Sequence, residues 1–264
     1  LSVGARNCCT NIDPRISRLD YFPFSLSKTY KKSVKRFIEA NGLIGVANLM
    51  CHPTDLKFNN IWPNSYARIQ VIHDLNRHPG DKWPTNYLIR RSLKANRIIS
   101  LSKYIYDRLD IEEKYLANFN RKRLPLITPP TEPLPSKYLL VIGRLKKYKN
   151  LAWLNDLDLD SLICPIVIAG QTKFRVPTHS NLIHINRWLK DSEFEYLIAN
   201  SSGIFCLYRE ASQSGILEQA STWKIPAIVT NVGALPEQIA FGKLGIVIPT
   251  DYSNSELSNA IVQV

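Results

Sequence analysis

The sequence predicts an α/β protein built on parallel sheets. From residue 138 onward, short apolar runs alternate with stretches of helical spacing, and a proline cluster divides the chain into two parts of different charge. Strand–helix–strand alternation buries a sheet on both faces and implies right-handed crossovers between parallel strands.

The runs at 138–142, 165–169, 181–185, 203–207, 226–230 and 245–248 read as buried strands. Helices are expected between them, at about 150–156, 191–200, 215–223, 234–240 and 254–262. Asp191-Ser192-Glu193 supplies an acidic helix start, and Gly203 follows the helix that ends near Asn200. Five prolines lie between Pro125 and Pro135, a stretch that excludes helix and disfavours a central strand. It reads as an extended linker between two lobes, residues 1–130 and 131–264. In the first lobe, Leu43 to Met50, Ile69 to His73 and Arg97 to Leu101 read as short buried strands. Lys28, Lys31, Lys32, Lys35 and Arg36 fall on an expected helix.

With 264 residues and 45% hydrophobic content, the chain can bury a sizeable core and is not compositionally disordered. Its five cysteines (8, 9, 51, 164 and 206) form no Cys-x-x-Cys pair and no His/Cys cluster with metal spacing. Reduced, mostly buried thiols of a cytosolic protein are expected. No apolar run reaches bilayer length, and the N-terminus lacks the basic-then-apolar order of a signal peptide. The sequence begins with Leu and its only methionine is Met50, so a trimmed or partial chain is expected. The net charge of +12 sits wholly in the first part: residues 1–130 hold 22 Lys and Arg against 10 Asp and Glu, whereas residues 131–264 hold 12 of each. Such a surface attracts anionic membranes or acidic glycans. Nucleic acid is not expected, because no recognition motif or aromatic platform accompanies the charge.

Two segments carry the chemistry. In Glu210-Ala-Ser-Gln-Ser-Gly-Ile-Leu-Glu218, Gly215 opens a helix whose free N–H groups favour an anion. One carboxylate lies on the loop before that helix start and one lies a turn into it. This arrangement suits a phosphate ester flanked by hydroxyl-rich rings, although glutamates near helix starts also serve as caps and dipole partners. In Tyr138-Leu-Leu-Val-Ile-Gly143-Arg144…Lys149-Asn150, a buried strand ends at a glycine, and Arg144 and Lys149 follow just past its carboxyl end. Both cations can hold phosphate, or can form a merely solvated basic loop.

These segments, with Val167-Ile-Ala-Gly170 and Pro226 before a strand, resemble the C-terminal half of a retaining GT-B glycosyltransferase. The nearest resemblance is to family 4 of the glycosyltransferase classification, over roughly residues 136–250. It implies two Rossmann-like lobes with parallel sheets facing a cleft. It also implies transfer of a sugar from a UDP- or GDP-linked donor to a glycan or lipid-linked acceptor in surface polysaccharide or glycolipid synthesis. By resemblance, Arg144, Lys149 and the backbone around Ser214, Gly215, Ile216 and Leu217 hold the diphosphate. Glu218 binds the ribose, Glu210 the donor sugar, and His73 touches the sugar from the first lobe. A lone histidine at a strand end can equally be a hydrogen-bonded structural residue. Neither metal nor cofactor is expected, since two cations can replace a divalent ion and no Asp-x-Asp pair occurs. The expected location is the cytoplasm, with possible attachment to the inner face of the plasma membrane through the basic first lobe. The family's opening strand with its glycine-rich loop is not found, and Tyr208-Arg209 replaces the usual small hydroxyl residue before the first glutamate. These departures keep two other readings open: a catalytically inactive GT-B-like binding protein and a basic polyanion-binding module.

Overall fold

The computed structural model describes residues 28–49, 66–76, 95–117, 123–124 and 126–264. Cys8, Cys9, Met50, Cys51, His78-Pro79-Gly80-Asp81 and the side chains of Lys28 and Lys31 lie outside the described residues. The fold separates into two compact units: Leu1–Val46 with His52–Ala67, and Ala47–Cys51 with Arg68–Val264. The proline-rich linker falls within the second unit.

In the first unit, helix α1 (Lys28–Ala40) buries Ile38 and exposes Lys32, Lys35 and Arg36. Lys35 pairs with Glu39 at 3.8 Å, a solvated i,i+4 contact of small energetic value. The helix ends at Gly42, whose φ of 58° lets Leu43 N–H return to the Ile38 carbonyl.

A four-stranded sheet follows in the order β1 (Gly45–Asn48), β2 (Ala67–Ile72), β3 (Arg97–Ser100), β4 (Lys114–Leu116). The pairs β2–β3 and β3–β4 are parallel. Short helix α2 (Lys103–Tyr106) follows β3, capped by the Ser102 hydroxyl, which accepts from Ile105 N–H. Ile72, Ile98, Ile105 and Leu109 form the small core beneath.

The second sheet has six strands, all parallel, and its strands lie within about one residue of their expected positions. They are β5 (Leu139–Ile142), β6 (Ile166–Ala169), β7 (Leu182–Ile185), β8 (Gly203–Cys206), β9 (Ala227–Thr230) and β10 (Gly245–Ile248). Their spatial order is β10-β9-β8-β5-β6-β7. The central strands β5, β6 and β8 are fully buried because both faces are covered. Leu140, Ile142, Val167, Ile204 and Val229 pack on one side against α3 (Asp191–Ala199) and α4 (Gly215–Trp223), through Leu197, Ile198, Leu217 and Ala220. Leu139, Val141, Ile166, Phe205 and Ile228 pack on the other side against Trp153 and Leu154, and against Leu257 and Ile261 of α6 (Asn254–Gln263). Ser253 and Glu256 cap α6 reciprocally: Ser253 Oγ accepts from Glu256 N–H at 3.3 Å, and Glu256 Oε2 accepts from Ser253 N–H at 2.7 Å.

Two helices differ from expectation. The segment expected as helix 150–156 is a pair of 3₁₀ turns, Lys147–Lys149 and Leu151–Asn155. Asn150 stands between them at φ 50°, a left-handed residue that an α-helix cannot pass through. The segment expected at 234–240 is α5 (Leu235–Gln238) followed by a 3₁₀ turn, with Ala240 and Phe241 both left-handed.

Gly170 ends β6 at φ 127°, and a Cβ there would collide with the Gly143 carbonyl at the end of β5. A Cβ on Gly215 would meet nothing within 4 Å. Gly170→Ala is therefore expected to cost on the order of 3 kcal/mol, and Gly215→Ala less than about 1 kcal/mol. Urea-unfolding midpoints check this, and equal midpoints for the two variants would refute the close packing of β5 on β6.

Candidate active site

The strand order reverses at β5: the chain builds β6 and β7 outward, then returns to lay β8 on β5's other side. Open α/β sheets bind ligands in the crevice that such a reversal leaves at the strands' carboxyl ends. Gly143, Arg144 and Lys149 follow β5, whereas Tyr208, Glu210 and the start of α4 follow β8.

Lys149 is 8% exposed. Its Nζ donates to the Ile142 carbonyl at 3.3 Å and lies 5.0 Å from the centroid of the Tyr208 ring. Burial pushes its pKa down to about 8; the nearby Arg144 charge adds to that and Cys206 opposes it. Gly143 faces this ammonium closely, since a Cβ there would lie 3.0 Å from Lys149 Nζ and 3.1 Å from Ile216 Cδ1. Arg144 is exposed beside them. No carboxylate pairs with Arg144 or Lys149 among the described residues, so two positive charges converge where α4 begins.

Ser214, in extended conformation, precedes α4, and Gly215 at its tip is exposed. The first N–H groups of a helix have no intrahelical partner and carry partial positive charge. Gln238 fixes this helix start through its amide. Its Oε1 accepts from Ser214 N–H at 2.8 Å, while its Nε2 donates to the Ser214 carbonyl at 3.0 Å and to Glu218 Oε1 at 2.8 Å. Ser214 Oγ lies 3.4 Å from the Tyr208 hydroxyl, which is itself within 3.5 Å of Cys206 Sγ. Burial pushes the Tyr208 phenol well above its ordinary range and pushes the Cys206 thiol up as well.

His73, just past β2, is half-buried. Its Nε2 donates to the Leu49 carbonyl at 2.7 Å and its Nδ1 accepts from Gln213 Nε2 at 2.9 Å, one residue before the helix cap. Glu210 is exposed on the loop after β8, with no hydrogen bond to the other candidate residues among those described. The structure thus gathers Arg144, Lys149 and Ile216 around Gly143, joins Ser214 to Glu218 through Gln238, and reaches His73 through Gln213.

Beside this group lies a cavity of about 200 Å³, lined by Gly143, Arg144, Gln171, Trp188, Phe194 and Gln219, among others. Arg187 braces its wall: the guanidinium holds Glu132 of the linker at 2.8 and 2.7 Å, and Glu193 of α3 at 3.0 and 2.8 Å. Arg187 thereby holds the Glu132 carboxyl down at about 2. Beyond the 144–150 loop, a larger cavity of about 930 Å³ carries Lys146, Lys147, Lys173 and Arg209. Sequence reasoning missed Gln213, Gln219 and Gln238, whose spacing carries no signal. It also missed Arg187, for which the flanking acids were the only hint. Among the described residues, no group of three or more His, Cys, Asp or Glu side chains gathers, and no helix is long and apolar enough to cross a membrane.

No protein-family model and no curated protein sequence matches the chain. Solved structures do. Sucrose-phosphate synthase from Thermosynechococcus elongatus superposes with a TM-score of 0.68 at 14% identity, covering 89% of this chain and 67% of that one. TarM gives 0.65 at 14% identity, covering 89% and 51%. Anabaena HepE, solved in complex with UDP, gives 0.61 at 11% identity, covering 89% and 72%. The fold is thus the α/β architecture with parallel sheets seen in GT-B glycosyltransferase structures, as expected. The chain spans about half the length of TarM and about two thirds of the synthase.

Lys149 generates a test. Its folded pKa of about 8 lies below the ordinary 10.5, so the charged form destabilises the fold below pH 8. That cost is of order 3 kcal/mol, and it is relieved as pH rises from about 8 toward 10.5, where only the unfolded chain still binds the proton. Lys149→Met is expected to be more stable than the parent at pH 7, by about 1–3 kcal/mol, with the gap shrinking above pH 8. Chemical denaturation of both proteins at pH 7 and pH 9.5 checks this; a less stable variant at pH 7 would refute an uncompensated ammonium.

Proposed function

We propose that the protein is a glycosyltransferase that moves a sugar from a nucleoside-diphosphate donor, with retention of configuration, to a glycan or lipid-linked acceptor of surface polysaccharide or glycolipid synthesis. The observation that carries the proposal is the buried, unpaired ammonium of Lys149 beside Arg144 and the open start of α4, all at the strand-order reversal. Two cations beside a helix tip, neither paired with a carboxylate among the described residues, suit a diphosphate. The likeness to solved GT-B structures supports the same reading, as does the UDP carried by one of them.

In this reading the diphosphate lies over Gly215, Ile216 and Leu217. Lys149 and Arg144 stabilise the charge that grows on it as the glycosidic bond breaks. Preorganised donors of this kind are typically the largest catalytic term, a single donor being worth about 3 kcal/mol. Glu218, held in place by Gln238, takes the ribose hydroxyls; Glu210 takes hydroxyls of the sugar, and His73 faces the sugar from the first sheet. We assign no metal, because the two cations supply the charge a divalent ion would. The exposed lysines and Arg36 of α1 would bring the protein to an anionic membrane face from the cytoplasmic side.

One observation favours the inactive binding-protein reading: both ring nitrogens of His73 already have protein partners, so contact with a sugar requires Gln213 to release Nδ1. Turnover separates the two readings. A thermal-shift screen with UDP and GDP is expected to raise the melting temperature for at least one of them by mass action. That shift should be largely lost in Arg144→Ala and Glu218→Ala. It should also weaken above pH 8 as Lys149 loses its proton. No response to any nucleoside diphosphate would overturn the donor assignment. Binding without transfer or hydrolysis across a panel of UDP- and GDP-sugars would favour the inactive form, and an inverted product would refute retention.

A further inference from the structure

Tyr208 lies just past β8 and is 5% exposed. The Lys149 ammonium stands over the face of its ring, 5.0 Å from the centroid, within the range at which an aromatic face attracts a cation. The hydrogen bond from the same ammonium to the Ile142 carbonyl is long, at 3.3 Å. We propose that Tyr208 is a positioning residue: its ring face holds the Lys149 ammonium in the crevice, and its hydroxyl fixes the ring to Ser214, the residue before α4. The inference deepens the donor reading above, on which its consequence for nucleotide binding rests.

The ring is held on several sides. Its hydroxyl lies 3.4 Å from Ser214 Oγ and receives the Cys206 thiol at 3.5 Å. Tyr148 packs edge-on against it, with centroids 5.9 Å apart and planes at 86°. The Tyr208 carbonyl accepts from Thr230 Oγ1 at 2.6 Å, which ties this backbone to the end of β9. A cation seated on so fixed a surface is already in place before a ligand arrives. The choice of an aromatic face has an electrostatic reason. A carboxylate would hold Lys149 equally well but would cancel its charge toward an anion. A ring quadrupole attracts the ammonium and leaves its net charge intact. Burial and the Arg144 charge favour the neutral amine, Cys206 opposes them, and among the described residues no carboxylate pairs with Lys149. The ring face adds to the side of the charged form. Tyr208 belongs to the pair that departs from the small hydroxyl residue of the resembling family, and a small residue offers a cation no such face.

NMR titration of the full chain with isotopically labelled lysine, free of ligand, reads the cation directly, and Lys149→Met assigns its signal. Tyr208→Leu removes a stabiliser of the charged form, so Lys149 should lose its proton about one pH unit lower than in the unsubstituted protein. Tyr208→Phe keeps the face and should titrate like the unsubstituted protein. Phenylalanines with one, two and three ring fluorines at position 208 withdraw electron density from the face with little change of size, and should lower the midpoint stepwise. Calorimetry with UDP and GDP at pH 8 follows the effect on binding. For whichever nucleotide binds, affinity is expected to fall about fivefold in Tyr208→Leu, as Lys149 goes from about half to about one-tenth protonated, and to stay within about twofold in Tyr208→Phe. An unmoved or raised midpoint in Tyr208→Leu overturns the proposal and leaves the donor reading intact. So does a flat fluorine series, or a Tyr208→Phe protein that titrates like Tyr208→Leu. Failure of the unsubstituted protein to bind either nucleotide removes the donor reading alone, because the NMR titration needs no ligand. If Tyr208→Leu does not fold, the fluorine series decides.

Discussion

The reversal of strand order at β5 is the constraint from which the site follows. The loop leaving β5 turns to one face of the second sheet, where Leu145, Leu151, Trp153 and Leu154 bury themselves. The loop leaving β8 turns to the opposite face, where Ile216, Leu217 and Ala220 of α4 do the same. Two neighbouring strands whose exits diverge leave a gap that no backbone fills. Gly143 leaves room for Lys149 Nζ and Ile216 Cδ1, and Gly170 permits β6 to close against β5. The crevice is a consequence of packing both sheet faces, not a separate construction.

The contents of that gap are one-sided electrostatically. Lys149 reaches it through a 3₁₀ turn and finds a carbonyl and an aromatic ring, but among the described residues no carboxylate. A buried cation ordinarily requires a partner. Elsewhere in the same unit the chain pairs such charges without difficulty. Arg187 has two carboxylates within 3.0 Å, and Glu237 accepts from the N–H groups of Lys103 and Tyr104 at 2.6 and 2.9 Å. Arg187 and Glu237 thus hold the architecture through paired contacts, whereas Lys149 has no carboxylate partner among the described residues.

Much of this was legible in the sequence, for identifiable reasons. Strands such as Leu139–Ile142 and Ile166–Ala169 are short, unbroken apolar runs bounded by turns, and burial on both faces is what such runs mean. Arg144, Lys149 and the Ser214–Glu218 segment were visible because each sits at the end of such a strand or the start of the helix after it. The failures were local backbone events. Asn150 in a left-handed conformation divides what helical spacing joins, and Ala240 and Phe241 do the same after α5. Side chains that act across the fold left no trace either. Gln238 touches Ser214 and Glu218 from 24 and 20 residues away, and Gln213 touches His73 across 140. No periodicity encodes such contacts.

Those long-range contacts share a chemistry that explains their use. An amide can orient a carboxylate, a backbone cap or an imidazole without altering the charge of the site. Gln238 holds Glu218 at 2.8 Å and so spares Arg144 and Lys149 from that task. Had a lysine or arginine oriented Glu218, the pair would be neutral and closed. Had a carboxylate oriented Ser214 N–H, it would compete with an anion for the start of α4. The neutral amide clamp holds Glu218 in position without adding charge, while among the described residues no carboxylate pairs with Arg144 or Lys149.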